Sequence, residues 1–294
     1  MIKGSIVAIV TPMHDDGEID FTAFDALLEW HIDCGTDAVV VVGTTGESAT
    51  LSVEEHCALV GHCVKSVDGR IPVIAGTGSN STAEALFFTE SAKVHGADAC
   101  LLVTPYYNKP SQEGLYQHFR TIAEAVEIPQ ILYNVPGRTA CDLRPETVER
   151  LADFPNIVGI KEATGDLNRG LQLVQSCGDR LSVYGGDDPI ALPLMLGGAL
   201  GNISVTANVA PAIMHRMCEL AIAGNAEEAT KLDARVELLH QRLFLESNPV
   251  PVKWALYRMG MIGRGIRLPL VELNAQYQDQ VAEALITAGI KLVN

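Results

Sequence analysis

Residues 130–161, QILYNVPGRTACDLRPETVERLADFPNIVGIK, hold one complete strand, helix and strand unit of this chain. An apolar run at 130–134 leads into a Gly/Pro/Thr loop, an amphipathic stretch that begins at Pro145, and a second apolar run at 157–161. Proline suits the first turn of a helix, where its missing N–H would have no partner. The stretch therefore predicts a strand, a helix and a second, parallel strand.

The same pattern recurs from the N-terminus to about residue 205. Most of its apolar runs are continuous, which is typical of parallel strands covered by helices outside and by packed side chains inside. Eight such units favour a closed (β/α)8 TIM barrel, because an open doubly wound sheet usually stops at about five or six strands. The predicted strands are residues 5–10, 38–42, 72–75, 99–104, 130–134, 157–161, 181–185 and 201–205.

Helix starts are marked by two Ser-x-x-Glu stretches and by a proline. Ser52 with Glu55, and Ser81 with Glu84, fit the capping box, in which the two side chains satisfy unpaired amides of the first turn. Pro189 suits the first turn of another helix.

The pattern after Pro211 is helical to the end, with roughly two helices more than the eighth unit needs. Residues 232–245 carry apolar side chains at helical spacing, which would cover the barrel or meet a partner subunit. We therefore predict a barrel of residues 1–224 and a C-terminal helical region of residues 225–294 packed on it.

Composition excludes several classes of protein. A length of 294 residues suits a single α/β barrel, and no run approaches the roughly 18 apolar residues that cross a bilayer. Residues 1–10 predict a first strand rather than a targeting segment. The net charge of −15 disfavours nucleic acid as a partner. Seven cysteines, scattered singly without a C-x-x-C pair, predict buried thiols in a reducing cytoplasm.

Lys161 is the first candidate for chemistry, because reactive groups of such barrels lie at the carboxyl ends of the strands. Its side chain would enter the barrel mouth, where a charge is costly. One interpretation is an ion pair with Glu162 or another carboxylate. The other is an amine nucleophile, since burial lowers a lysine pKa from about 10.4 toward 7.

Other polar residues follow neighbouring strands. Tyr133 ends the strand before that of Lys161, and its phenol is either a core group or a proton relay. The turn at 43–48, GTTGES, exposes amides and hydroxyls able to hold a carboxylate, although such turns are common connections. Arg138 is either a solvated loop residue or a two-bond clamp for a carboxylate.

Metal and phosphate sites are not expected. No H-x-H or H-E-x-x-H spacing occurs, which disfavours a metal-dependent aldolase. Asp187 and Asp188 follow the seventh strand, where barrels often bind phosphate, and would repel it.

Together these residues resemble the pyruvate-dependent Schiff-base lyases of the N-acetylneuraminate lyase family, across essentially the whole chain. The family-level marks are GTTGE at 43–47, YNxP at 133–136 and GIK at 159–161. Three further stretches resemble the dipicolinate synthase branch, namely VTPYYNKP at 103–110, NVPGRT at 134–139 and NPVPVK at 248–253.

The resemblance implies a condensation of pyruvate with L-aspartate 4-semialdehyde to 4-hydroxy-tetrahydrodipicolinate, in lysine and diaminopimelate biosynthesis. Lys161 would form the imine with pyruvate, and Tyr133 would transfer protons through Thr44 and Tyr107. No organic cofactor or metal is implied.

Substrate contacts follow from the same resemblance. Thr45 would hold the pyruvate carboxylate and Arg138 the carboxylate of the semialdehyde, while Gly186 and Ile203 would line the pocket near the imine. The rival interpretations are a sibling lyase of sugar acids, which lacks this arginine, and a catalytically silent barrel that senses ligands.

The resemblance also implies a homotetramer built as two tight dimers, in which Tyr107 completes the neighbouring active site. Lysine-inhibited members carry an effector site at the tight-dimer interface. Position 53, however, is Val where some inhibited members place an aromatic or His side chain, so we expect weak, partial or absent inhibition. The matching positions are Ser48, Ala49, His56, Asn80, Glu84 and Tyr106.

Overall fold

Eight parallel strands close into a barrel in the computed structural model, which describes residues 1–293. The strands pair in chain order, and β1 also pairs with β8, so the sheet has no free edge. The predicted (β/α)8 barrel is confirmed. Its strands β1 to β8 are Gly4–Ala8, Ala38–Val41, Val73–Gly76, Ala99–Val103, Gln130–Asn134, Ile157–Glu162, Ser182–Gly185 and Gly201–Ser204.

Helices follow the strands and cover the outside of the barrel. Short 3₁₀ turns occur at Ser48–Thr50 and Thr206–Asn208. Helices α1 to α12 are Phe21–Asp33, Val53–Val67, Thr82–His95, Gln112–Ala125, Pro136–Thr139, Pro145–Leu151, Leu167–Cys177, Asp188–Leu196, Pro211–Ile222, Ala226–Arg242, Val250–Arg258 and Ala275–Thr287.

The predicted strand limits are correct to within one or two residues. The largest difference is at β1, which was expected to run to Val10 but ends at Ala8. The amide of Val10 donates to Asn208 Oδ1 at 3.1 Å instead of continuing the ladder. A side chain 198 residues away therefore ends this strand.

Alternate side chains of the strands form two separate cores. Ile6, Val40 and Ile74 point into the barrel and pack with Tyr133 and Tyr184. The other strand faces pack beneath the helices in a larger cluster. The barrel is thus filled below its mouth, and polar groups concentrate at the carboxyl ends of the strands.

One of the two predicted capping boxes is complete. At α2, the amide of Ser52 donates to Glu55 and the Ser52 hydroxyl accepts from the Glu55 amide. At α3, the Ser81 hydroxyl accepts from the Glu84 amide at 3.4 Å, but the Glu84 carboxylate accepts from Ser79 instead of Ser81. The prediction of the second capping box was therefore wrong for the bond from the Ser81 amide to the Glu84 carboxylate, because the Ser79 hydroxyl donates to that carboxylate instead.

The C-terminal region contains three helices beyond α9 rather than the two expected. Helix α10 packs on α8, α9 and α12, with Val236 and Leu239 fully buried. Residues 232–245 thus cover the barrel helices, although the helix ends at Arg242. The boundary at residue 224 stays a prediction.

The sequence composition led to two expectations, one about membrane spans and one about the cysteines. Within residues 1–293 no helix is long and apolar enough to span a bilayer. All seven cysteines are free thiols, and five of them are buried; Cys34 and Cys57 are partly exposed.

Candidate active site

A cavity opens at the carboxyl ends of the strands, above the filled interior of the barrel. Its wall combines backbone from the turn after β2 with side chains from β5 and β6 and from the loop after β7. The polar lining residues include Thr44, Thr45, Tyr133, Arg138, Lys161 and Asp187.

Lys161 lies in the cavity with only 6% of its surface exposed. Its register partner in β5 is Tyr133, and the Lys161 Nζ atom lies 4.4 Å from the centre of the Tyr133 ring. Glu162, the expected ion-pair partner, instead accepts from Asn134 and from the amide of Thr164. The carboxylate beside Lys161 in sequence is therefore engaged elsewhere.

The surroundings of Lys161 shift its protonation equilibrium toward the neutral amine. Burial lowers the pKa of Lys161 to about 8, and the carboxylates of Asp187 and Asp188 partly oppose this effect. Asp187 is held in place by the amide of Gly165, which donates to Oδ2 at 2.7 Å. An amine with this pKa is available as a nucleophile near neutral pH.

Tyr133 presents a protonated phenol beside this amine. Burial raises the pKa of Tyr133 to about 12, while Arg138 and a contact with the Thr44 hydroxyl act in the opposite direction. The structure thus places Thr44, Tyr133 and Lys161 in one cavity, where a phenol can pass protons to and from the amine.

The turn at 43–48 brings three hydroxyl side chains to the cavity, those of Thr44, Thr45 and Ser48. The amides of Gly46 and Glu47 donate to the carbonyls of Gly43 and Thr44, both at 3.1 Å. Thr45 is almost fully buried, and its hydroxyl accepts from Asn248 Nδ2 at 3.0 Å.

Arg138 lies at the cavity rim on the short helix α5. One of its terminal nitrogens donates to the carbonyl of Asn248 at 3.2 Å, which fixes the direction of the guanidinium. The remaining donors are available to a carboxylate in the cavity.

Gly186 leaves space for the amine of Lys161. A Cβ atom at this position would lie 2.6 Å from the Ala163 Cβ atom and 2.9 Å from the Lys161 Cε atom. Any larger residue would therefore press on both Ala163 and Lys161, so one of these side chains or the loop itself would have to move.

Two of the predicted catalytic and substrate-binding residues lie outside the cavity of this chain. Tyr107 is 87% exposed, has a left-handed backbone with φ 77, and donates its amide to the Thr139 carbonyl. Ile203 is fully buried in the cluster inside the barrel. The chain by itself therefore does not join Tyr107 to Thr44.

Among residues 1–293, no group of three or more His, Cys, Asp or Glu side chains is arranged to hold a metal ion.

A family model described as the dihydrodipicolinate synthetase family matches residues 1–288. The chain belongs to this family. A 4-hydroxy-tetrahydrodipicolinate synthase of Marinobacter nauticus is 61% identical over 291 residues, which cover 99% of this chain and 100% of that protein. The enzyme of the same name from Stutzerimonas stutzeri is 60% identical over 290 residues, 99% of each chain.

A solved structure agrees with this assignment. The chloride-inhibited dihydrodipicolinate synthase of Acinetobacter baumannii, crystallised in complex with pyruvate, matches with a TM-score of 0.98 and 57% identity. The match covers 99% of this chain and 100% of that one. These relatives favour neither a sugar-acid lyase nor a silent barrel.

Within this member of the dihydrodipicolinate synthetase family, the expected effector residues occupy several settings. Ser48 lines the active cavity itself, next to Ala49 in a 3₁₀ turn. His56 stacks on Phe88 with ring centres 4.1 Å apart, and burial lowers its pKa to about 4.

Of the remaining expected effector residues, Asn80 and Tyr106 lie at the loop of Tyr107. The Asn80 carbonyl accepts from Asn108, and Tyr106 is partly exposed. Glu84 accepts from Ser79. Whether these groups bind an effector stays a prediction.

Sequence reasoning missed several residues at the cavity. Asn248 and Phe244 line it from the C-terminal region, and Asp187 lines it beside Lys161. Asp187 was interpreted only as a group that repels phosphate. Asn248 begins the NPVPVK stretch used for the resemblance, which was the one available signal.

Proposed function

We propose that this enzyme condenses pyruvate with L-aspartate 4-semialdehyde to give 4-hydroxy-tetrahydrodipicolinate. The observation that carries the proposal is the buried amine of Lys161, with its lowered pKa, beside the phenol of Tyr133. Relatives named 4-hydroxy-tetrahydrodipicolinate synthase match 99% of the chain. The pathway is then lysine and diaminopimelate biosynthesis.

The first step forms an imine. The neutral Nζ atom of Lys161 attacks C2 of pyruvate, and the ketone oxygen takes a proton to give a carbinolamine. Loss of the amine proton and of water leaves the C=N bond. Tyr133 is positioned to move these protons, with Thr44 next to it in the relay.

The cavity groups around this imine suit two carboxylates. The hydroxyl and backbone of Thr45 hold the carboxylate of pyruvate, while Arg138 at the rim binds that of the semialdehyde in two bonds. Gly186 provides the space beside Lys161 that the imine needs. Ile203 supports the cavity floor from inside the barrel.

Carbon–carbon bond formation follows. With the imine nitrogen protonated, loss of a proton from the pyruvate methyl group gives a neutral enamine, whose terminal carbon attacks the aldehyde while the aldehyde oxygen takes a proton. The amino group of the semialdehyde then attacks C2 and displaces Lys161. The ring closes and the free amine is regenerated, so no external oxidant or reductant enters.

The working form is a homotetramer of two tight dimers, in which Tyr107 serves the neighbouring subunit. Its 87% exposure within one chain supports this arrangement, since a phenol of the proton relay would otherwise face solvent. We place the enzyme in the cytoplasm, because all seven cysteines are free.

Steady-state turnover tests the proposal. Purified protein should consume pyruvate only when L-aspartate 4-semialdehyde is present, and should leave N-acetylneuraminate uncleaved. Cleavage of the sugar acid without condensation would assign the enzyme to the sibling lyases instead.

A further inference from the structure

The turn that supplies Thr44 and Thr45 contains a buried carboxylate with no role in the steps above. Glu47 is 4% exposed and adopts a left-handed backbone with φ 58, which is strained for a residue other than glycine. Its amide donates to the Thr44 carbonyl and so closes the turn. The position of Glu47 therefore fixes the shape of this turn.

The buried charge of Glu47 is matched by Lys253, from the end of the NPVPVK stretch. The ammonium of Lys253 donates to Glu47 Oε1, and Lys253 is also only 4% exposed. The second oxygen, Oε2, accepts from the amide of Arg267 at 3.1 Å. A buried carboxylate that loses its partner either takes up a proton or moves toward water.

The same stretch makes a second connection to the turn. Asn248, five residues before Lys253, donates to the Thr45 hydroxyl and accepts from Arg138 through its carbonyl. Asn248 thus contacts Thr45, and Lys253 contacts Glu47. The C-terminal region therefore contacts the turn at two points.

We infer that Lys253 is a positioning residue of the active site, which holds the turn of residues 43–47 through Glu47 so that Thr44 and Thr45 face Lys161. Lys253 itself does not line the active cavity and acts only through Glu47. The inference rests on the proposed function, because it concerns the rate at which pyruvate forms its imine. If Lys253 has this role, the C-terminal region contributes to catalysis as well as to packing.

The test is a double-mutant cycle with Lys253→Met, Glu47→Gln and the two combined. The measured quantity is the rate of pyruvate trapping by borohydride, together with KM for each substrate. Misplacing a reacting group by about 1 Å costs up to about 100-fold, so Lys253→Met should slow trapping by about 10- to 100-fold. KM should rise for pyruvate more than for the semialdehyde, and Lys253→Arg should restore part of the rate.

The control is Val252→Ala, a buried position on the same helix that belongs to the outer core. It should lower the melting temperature but leave the trapping rate unchanged. If Lys253 acts through Glu47, the double variant is no slower than the slower single variant. If Lys253→Met does not fold, the trapping rates of Glu47→Gln and Lys253→Arg are compared with that of the parent instead.

Two results would overturn the inference. One is a trapping rate in folded Lys253→Met, or in Glu47→Gln where Lys253→Met fails to fold, equal to that of the parent. The other is a double variant whose loss is the product of the two single losses. A parent protein that traps no pyruvate would instead refute the proposed function.

Discussion

In the proposed mechanism Lys161 reacts only as its neutral amine, so the groups that set its pKa also set the pH dependence of the first step. Burial lowers this pKa to about 8, and Asp187 and Asp188 oppose the decrease. Asp188 is committed to structure, because it accepts from Asn202 and from the amides of Val205 and Thr206. Asp187 lines the cavity, so it is the carboxylate whose replacement tests the effect on the pKa of Lys161.

Replacing this carboxylate should make the amine more acidic. In Asp187→Asn the ammonium loses a stabilising charge, so the pKa of Lys161 should fall further below 8. The neutral fraction then persists to lower pH, and the pH profile of imine formation should shift in the acidic direction. Stopped-flow trapping between pH 6 and about 9 measures the shift. Asp179→Asn, on the surface, is the matched control; a shift toward higher pH would contradict the role given to Asp187.

At the scale of secondary-structure elements, the loops after the strands must leave room for the reacting groups. Gly186 illustrates the requirement, since a methyl group there would press on the Lys161 Cε atom. The loop after β7 therefore limits the space available to a side chain on β6.

Gly186→Ala should slow imine formation by about 100-fold while the protein remains folded, because the added methyl displaces the amine. Gly137→Ala is the control, since a Cβ atom at Gly137 meets nothing within 4 Å. Trapping rates and circular dichroism should be measured on both variants. Equal rates in the two would show that Lys161 accommodates the methyl group.

Much of this arrangement was predictable from sequence because it depends on local order. Continuous apolar runs predict parallel strands, and neighbouring strands of a barrel end at the same face, so Tyr133 and Lys161 were expected to meet. Contacts between distant segments were not predictable. Asn248 reaches Thr45 across 203 residues, and periodicity says nothing about which loop the C-terminal region touches. Likewise, the Ser79 hydroxyl donates to the Glu84 carboxylate, and the spacing of the capping box does not predict this hydrogen bond.

For the whole molecule, the proposed homotetramer uses the exposed Tyr107 of one chain to complete the active site of its neighbour. Tyr107→Phe should lower turnover, because the relay loses its outer hydroxyl, but should leave the dimer intact. Sedimentation velocity at the assay concentration checks the assembly, and steady-state kinetics check the turnover. A parent protein that is active as a monomer would contradict the shared site.

The expected response to L-lysine also belongs to the scale of the proposed assembly. Val53 begins α2 and is 40% exposed, and its side chain is smaller than the aromatic or His side chain that some lysine-inhibited members place there, so we expect it to offer less packing to the alkyl chain of an effector lysine. Losing one such contact costs about 1 kcal/mol, or about fivefold in affinity. We expect weak, partial or absent inhibition in a steady-state titration with L-lysine, while tight micromolar inhibition would show that Val53 is not the determinant.

The most direct test of the central claim is reduction with borohydride in the presence of pyruvate, followed by peptide mass spectrometry. We expect one pyruvate-derived adduct on the peptide that contains Lys161. Lys161→Ala should keep its circular dichroism spectrum and form no adduct, because the barrel is packed on many other residues. A parent protein without an adduct at Lys161, or an equally labelled Lys161→Ala variant, would contradict the account.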